Sequence, residues 1–215
     1  MSLHWVSYYH AIQISTVAVG MISISTYPVI TACLEPAIMK EPFKYVDLLL
    51  TLLVLFGLSL IVPDFNLSNR VTQGVFWGVV SAVLLSIRNI YSRKMIKHYS
   101  GDQLMFYQLL FGFIILTPVL GLYPVTLRVQ DWGLLLLLGS VFTALGHSLW
   151  LSSLRVINAK TAGLMSCFAP VIGISFAFLL LGEVPEKRTL FGCIIILTGI
   201  FLESYWLFRK KASSR

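Results

Sequence analysis

Long apolar runs separated by short polar segments make up most of this chain. Seven runs are long enough to cross a membrane, because about 20 residues at 1.5 Å each span the hydrocarbon layer. A shorter run at residues 2–14 falls short of that length. The pattern predicts an all-α polytopic bundle of transmembrane helices with seven full spans and one partial span. The full spans are residues 16–39, 46–62, 72–92, 102–122, 131–154, 159–181 and 186–208.

Composition agrees with a membrane protein and argues against two other kinds of site. Hydrophobic residues make up 57% of the chain and charged residues 12%, whereas about a quarter of the residues in soluble domains are charged. The net charge is +7, but the basic residues are scattered through short loops, so we expect no nucleic-acid partner. Cys33, Cys167 and Cys193 lie far apart inside apolar runs. This spacing predicts small buried residues rather than a metal site or a disulfide.

The distribution of Lys and Arg between loops predicts the orientation of the chain. Cytoplasmic loops are enriched in these residues. When the loops are taken alternately, one set, which includes the carboxyl terminus, carries eleven of them and the other set carries four. We therefore expect a cytoplasmic carboxyl terminus, in a bacterial inner membrane or a plasma membrane. The basic tail at residues 208–215 is then an anchor of topology rather than a binding site.

An internal repeat relates the two parts of the chain by a shift of 142 residues. Three features keep their spacing under this shift: a proline inside a span, a glutamate in the next loop and a glycine in the following span. They occur at Pro28 and Pro170, Glu41 and Glu183, and Gly57 and Gly199. The predicted spans place five membrane crossings between the two prolines, so the two copies point in opposite directions. Inverted repeats of this kind are typical of secondary transporters.

These features closely resemble the EamA-type carriers of the drug/metabolite transporter superfamily. The resemblance rests on the short loops, the proline-to-glutamate phrase that closes a helix in each half, and the glycine in the helix after it. It implies ten transmembrane helices in two inverted five-helix repeats, with both termini in the cytoplasm. Residues 1–65 would then be the carboxyl-terminal part of the first repeat, with a partial third helix and helices four and five. Residues 66–215 would be the whole second repeat with its basic tail.

Compared with that family, the chain lacks the first two helices and about a dozen residues of the third. A stub of 13 residues at 2–14 reaches only about 20 Å, which is less than the ~30 Å hydrocarbon layer. Two interpretations stay open. The sequence is an amino-truncated version of a longer protein, or it is a remnant that needs a partner, either a homodimer mate or a complementing chain.

Two charged residues inside spans are candidates for the substrate or proton pathway. Glu35 lies in a predicted span, where a carboxylate costs ~2.5–3.5 kcal/mol and is functional by default. The alternative is an ion pair at the membrane interface, with Lys40 or Arg88 as partner. Arg88 itself either reaches the cytoplasmic interface through its long side chain or supplies a cation for an anionic substrate.

Histidines and aromatic residues in an equivalent pair of spans are weaker candidates. His10 and His147 could exchange protons near neutral pH or could be hydrogen-bonded packing residues. Tyr9 and Trp150, in the same two spans, could line a cavity for a flat or amphipathic solute or simply pack.

The prolines inside spans predict kinks, because a proline removes a backbone donor that a membrane helix must replace. Pro28 and Pro170 could act as hinges beside a central cavity or as packing kinks. Small hydroxyl residues near Pro28 could satisfy the freed carbonyls: Ser23, Ser25, Thr26 and Thr31. A separate stripe of small residues, Gly74, Gly78, Ala82 and Ser86, predicts close contact between helices.

An enzyme is not indicated by any motif. The chain has no Gly-x-Ser-x-Gly turn, no His-Glu-x-x-His helix, no Gly-Lys-Ser/Thr phosphate loop and no close pair of intramembrane aspartates. We therefore expect no catalytic residue, no metal and no cofactor. The sequence favours a secondary transporter that lies in contact with membrane lipid and exports or exchanges a small organic metabolite. The alternative is a transport-inactive remnant or scaffold that needs a partner chain.

Overall fold

The described residues of the computed structural model are 1–40, 45–61, 66, 68–96, 98–122, 127–153 and 159–213. All regular secondary structure within these ranges is helical. The helices are α1 (Ser2–Ile14), α2 (Val17–Ile24), α3 (Tyr27–Met39), α4 (Tyr45–Ile61), α5 (Arg70–Met95), α6 (Gly101–Leu122), α7 (Val129–Leu137), α8 (Gly146–Ser153), α9 (Ala159–Leu181) and α10 (Lys187–Ser213). A π-helical segment, Leu138–Leu145, joins α7 to α8.

The helices follow the predicted spans closely, since each apolar run is one helix or two consecutive helices. Among the residues whose side chains are described, three segments are long and apolar enough to cross a membrane. They are Val17–Met39, Arg70–Met95 and Val129–Ser153, with 23, 26 and 25 residues. Together with the apolar ends of α4 and α9, they confirm an all-helical membrane protein.

The first of these segments is interrupted between α2 and α3, at Ser25 and Thr26. We call these two residues the α2–α3 break. Pro28 follows at once, in the first turn of α3, where a proline costs no hydrogen bond because the first N–H groups of a helix have no partner within it. The discontinuity therefore precedes Pro28. Pro170 differs, since it lies buried inside the uninterrupted helix α9.

The chain divides into two units, which are described separately. One consists of Met1–Ser2 with Tyr91–Ile157, and the other of Leu3–Ile90 with Asn158–Arg215. In the first unit, α6 begins with a reciprocal cap between Ser100 and Gln103, which satisfies free N–H groups of the first turn. The beginning of α6 lies against the end of α8, because a side chain on Gly101 would overlap Ser152.

The second unit contains the hydrophobic core of the described residues. Its buried side chains come from α2, α3, α4, α5 and α10. Ile22, Ile196 and Ile200 are no more than 1% exposed, so the centre of this unit consists of branched aliphatic residues from α2 and α10. These residues are Val19, Ile22, Val29, Val54, Leu58, Ile61, Val75, Cys193, Ile196 and Ile200.

Helices α4 and α10 pack against each other in opposite directions. A methyl group placed on Gly192 would lie 2.6 Å from the Gly57 carbonyl oxygen and would also overlap Ile61. Gly57 in turn lies against Ile196, which is further along α10. Because positions later in α10 meet positions earlier in α4, the helices are antiparallel. Glycine is required at this contact because the two backbones approach closely.

The contact between α4 and α10 is also reciprocal under the 142-residue shift. A methyl group on Gly57 would lie 2.7 Å from Ile196 Cγ1, and one on Gly199 would lie 3.0 Å from Val54 Cγ2. The second pair is the first pair shifted by 142 residues, with the two helices exchanged. An antiparallel, reciprocal contact is what two inverted copies of one unit produce about an approximate twofold axis.

Helix ends repeat with the same shift. Among the described residues, two have a positive φ, Lys40 at 57° and Gly182 at 68°, and they are 142 positions apart. Each follows the last turn of a helix and donates its N–H to the carbonyl four residues earlier, Pro36 for Lys40 and Phe178 for Gly182. A left-handed residue is a common way to end a helix. The two copies thus share a helix terminus as well as a helix contact.

Candidate functional site

Helices α1 and α5 meet through a line of polar and small residues, which we call the α1–α5 seam (His4 and Ala11 with Gly74 and Ser81). At its centre, His4 Nδ1 lies 2.7 Å from Ser81 Oγ and 3.1 Å from the Ser81 carbonyl oxygen. Ser81 Oγ donates to the His4 carbonyl oxygen at 2.9 Å. His4 is 5% exposed and Ser81 is fully buried. Two polar side chains therefore satisfy each other inside an apolar bundle, as burial requires.

The hydrogen bonds assign the tautomer of His4. A carbonyl oxygen only accepts, so the contact with the Ser81 carbonyl requires a proton on Nδ1. Ser81 Oγ uses its own proton toward His4 and so accepts from Nδ1 as well. The Tyr8 ring stacks at 6.5 Å and 17° from the His4 ring.

Close approach of the helices continues along the α1–α5 seam. A side chain at Gly74 would overlap Ser15, just beyond α1, and would meet the Ala11 carbonyl oxygen at 3.3 Å. Nearby, the ring of His10 meets Trp77 edge to face, with centroids 5.2 Å apart. Because Ala11 meets Gly74 while His4 meets Ser81, α1 and α5 are antiparallel. The predicted spans give the same result, since successive spans cross the membrane in alternate directions.

The α2–α3 break is lined by hydroxyl groups that donate to backbone carbonyls. Ser25 Oγ binds the Met21 carbonyl at 2.6 Å, and Thr26 Oγ1 binds the Ser23 carbonyl at 2.7 Å. Thr31 Oγ1 donates to the Tyr27 carbonyl at 2.7 Å. The carbonyl that Pro28 leaves without its usual donor is that of Ile24, so these bonds do not test the expectation that hydroxyl residues satisfy it.

The small-residue stripe of α5 holds that helix against the α2–α3 break. A side chain at Gly78 would overlap Ser23, and Ala82 is fully buried. Ser86 Oγ lies 2.9 Å from the Tyr27 carbonyl oxygen and 2.8 Å from that of Ala82. The packing role predicted for this stripe is confirmed.

The residues singled out from the sequence are distributed over several helices. Glu35 is half-buried on α3 and Arg88 is half-buried on α5. Tyr9 and His10 are exposed on α1, whereas His147 and Trp150 are half-buried on α8. The α1 pair and the α8 pair belong to different units, so no joint site is described for them. The transport roles of these residues and the hinge roles of Pro28 and Pro170 stay predictions.

His4 and Ser81, which form a buried polar contact between α1 and α5, were not among the residues predicted from the sequence. A signal was present, since His4, Ser7 and Ala11 recur every three or four residues and all three are buried. This spacing places them on one face of a helix. In the described part of the chain, no group of three or more His, Cys, Asp or Glu side chains could hold a metal ion.

A last polar contact lies at the beginning of α2. The Glu183 carboxylate accepts a hydrogen bond from the Val17 N–H, with oxygens at 3.0 and 3.3 Å. Glu183 is the loop glutamate of the second repeat copy, and it follows α9. The contact therefore joins one helix of each copy.

Comparison with known proteins identifies relatives over most of the chain. Residues 72–205 match the sequence profile of the EamA-like transporter family. An uncharacterized transporter of Archaeoglobus fulgidus is 26% identical over 91% of this chain and 70% of its own length. The pseudopaline exporter CntI of Pseudomonas aeruginosa is 25% identical over 92% of this chain and 69% of its own length.

The coverage of other relatives is lower. The uncharacterized transporter YoaV of Bacillus subtilis is 24% identical over 74% of this chain, which spans 55% of that protein. No solved structure gives a significant match.

Proposed function

Because the chain belongs to the EamA-like transporter family, we propose that it is a secondary transporter that exports or exchanges a small organic metabolite by alternating access. The observation that carries this proposal is the reciprocal contact of Gly57 with Ile196 and of Gly199 with Val54. Two repeat copies that cross the membrane in opposite directions can expose one central site first to one side of the membrane and then to the other.

The α1–α5 seam and the α2–α3 break are the regions where a solute would bind. Substrate sites of inverted-repeat carriers lie near the membrane midplane, beside interrupted helices. The α2–α3 break provides the interruption, and His4 and Ser81 provide buried polar groups on the adjoining helices. Both regions lie next to α5, and their polar groups are hydroxyl, imidazole and carbonyl groups. A small polar organic molecule fits this chemistry.

Two charged residues refine the proposal. Glu35 and Arg88 are half-buried, and in a membrane helix such groups serve substrates or protons by default. We assign Glu35 and Arg88 to the solute or proton pathway. The carboxyl terminus faces the cytoplasm in this proposal, in a bacterial inner membrane or a plasma membrane.

Counterflow in proteoliposomes tests the proposal. The purified chain is reconstituted and loaded with unlabelled solute, and uptake of the labelled solute is measured for pseudopaline and for sets of amino acids, nucleosides and short carboxylates. We include pseudopaline because a relative of 25% identity is named as its exporter. The proposal predicts uptake of at least one solute above that of protein-free liposomes.

Site variants sharpen the result. Glu35→Ala and Arg88→Ala are expected to lower uptake more than tenfold, whereas Glu186→Ala, at an exposed carboxylate after α9, leaves it unchanged. Uptake that survives both substitutions would remove Glu35 and Arg88 from the pathway. Absence of uptake for every solute would favour the transport-inactive remnant or scaffold.

A further inference from the structure

The contact of Glu183 with the beginning of α2 gives that helix a second cap. Thr16 Oγ1 already accepts a hydrogen bond from the Val19 N–H at 3.2 Å. The Val17 N–H is bound instead by Glu183, 166 residues away in the chain. A carboxylate at a helix N-terminus is stabilised both by the helix dipole and by a charge-assisted hydrogen bond. The cap of α2 is therefore partly supplied by the other repeat copy.

The end of α9 positions this carboxylate. Gly182 has a left-handed backbone with φ of 68°, and its N–H bonds to the Phe178 carbonyl at 3.2 Å. The Glu183 N–H then bonds to the Ala177 carbonyl at 3.3 Å. The left-handed Gly182 and its bond to Phe178 form a common helix terminus, and the Glu183 bond adds a second backbone contact. Glu183 is thus held at a fixed place directly after the last turn of α9.

Beyond Glu183, helices α2 and α9 pack together without polar contact at their closest point. A side chain on Gly173 would overlap Met21, so the two helices are close one turn inside α2. Positions later in α2 meet positions earlier in α9, which makes the helices antiparallel. Glu183 lies at the end of this apolar contact, where its carboxylate accepts the hydrogen bond from the Val17 N–H.

We propose that Glu183 is a gating residue that fastens α9 to the amino end of α2 and so closes one mouth of the transport path. The proposal rests on alternating access as the function of the chain. A carrier must separate and rejoin its two copies at each mouth during every cycle. A hydrogen bond from a backbone N–H to a carboxylate suits this task. Such a bond is strong enough to shift a two-state equilibrium about tenfold and still breaks readily.

The 142-residue repeat contains a second glutamate at the position equivalent to Glu183. Glu41 is the equivalent of Glu183, and it lies outside the described residues. Lys40, just before it, has the same left-handed conformation as Gly182.

The structure offers a substitution that removes only the donor of this hydrogen bond. Val17 is the first residue of α2, a position where proline fits without breaking the helix. Thr16 before it is extended, with φ of −139° and ψ of 162°, as a residue preceding proline should be. Val17→Pro thus deletes the N–H, Glu183→Ala deletes the acceptor, and Glu186→Ala is the matched control at an exposed carboxylate three residues away.

Thiol labelling measures whether this mouth opens. Cys33, Cys167 and Cys193 are replaced by alanine, and Met21→Cys places one reporter at the α2–α9 contact. A membrane-impermeant maleimide is applied to right-side-out and to inside-out vesicles. We expect Val17→Pro and Glu183→Ala each to raise the labelling rate about fivefold to tenfold, from the same face of the membrane only. The double variant should equal the single variants, since both remove the same interaction.

The controls separate this proposal from the proposed function. Glu186→Ala should label at the parent rate, and all variants should elute as a single peak in detergent. Rates within twofold of the parent for both single variants, or a double variant whose effect is the product of the two, would overturn the gating role. If the parent still transports solute in that case, the carrier stands and only the role of Glu183 is wrong. A parent that transports no solute overturns the carrier instead.

Discussion

His4 of α1 and Ser81 of α5 are joined by hydrogen bonds in both directions. His4 Nδ1 lies 2.7 Å from Ser81 Oγ, and Ser81 Oγ donates to the His4 carbonyl oxygen at 2.9 Å. The two residues are 77 positions apart in the chain, so this contact fixes the register of two helices that no short loop connects. It also holds an imidazole in a buried position between the two helices.

Replacement of Ser81 by alanine should destabilise the protein. Ser81→Ala removes a buried hydroxyl that both accepts from and donates to His4, which should cost about 1–2 kcal/mol in the free energy of unfolding. The apparent melting temperature in detergent should fall by about 3–6 °C, as measured by intrinsic fluorescence during heating.

Ser140→Ala is the matched control for this substitution. Ser140 is exposed, and its hydroxyl donates to the Leu136 carbonyl of its own helical turn. Its loss should change the unfolding free energy by less than about 0.5 kcal/mol. Equal effects of the two substitutions would contradict the importance given to the His4–Ser81 contact.

The positions of the helices could be predicted from the sequence because one physical constraint dominates, although the runs at 16–39 and 131–154 each contain two α-helices rather than one. A helix in lipid must satisfy its own backbone and span a layer of nearly constant thickness, so apolar runs and helices coincide. The small-residue stripe at Gly74, Gly78, Ala82 and Ser86 also predicted its contacts, since small side chains at every fourth position allow close approach. Local sequence patterns carry this information directly.

The rest depends on contacts that periodicity cannot show. The α2–α3 break at Ser25 and Thr26 lies in the turn before Pro28, where a proline's missing donor favours an interruption, but the hydropathy pattern does not show it. The π-helical segment at Leu138–Leu145 has no mark in the hydropathy pattern. The role of Glu183 at Val17 requires knowledge of which helices are neighbours, and a single sequence does not supply it.

Glycine at the α4–α10 contact should be needed for stability. Gly192→Ala would place a methyl group 2.6 Å from the Gly57 carbonyl oxygen and against Ile61, so the helices must separate. We expect a loss of about 1–3 kcal/mol, measured as a lower melting temperature in detergent. Gly133→Ala is the control, since no atom lies within 4 Å of the position of its methyl group. That substitution should leave stability unchanged or raise it by up to about 1 kcal/mol, and an equal loss in both variants would contradict the close contact.

The described cysteines should differ in reactivity according to burial. Cys193 is 7% exposed in the core between α4 and α10, whereas Cys33 on α3 is half-buried. In a Cys167→Ser background in detergent, N-ethylmaleimide should modify Cys33 at least several times faster than Cys193, as followed by intact mass with peptide mapping. Denaturation should remove the difference. A faster reaction of Cys193 in the folded protein would contradict the described core.

The opposite orientation of the two repeat copies is the claim on which the carrier depends most directly. Reporter tags inserted after Lys44 and after Glu186, in the loops that follow α3 and α9, measure it in intact cells. The account predicts the tag after Lys44 in the cytoplasm and the tag after Glu186 outside, because the loops alternate in Lys and Arg content and α4 and α10 are antiparallel. Both tags on the same side of the membrane would contradict the inverted repeat.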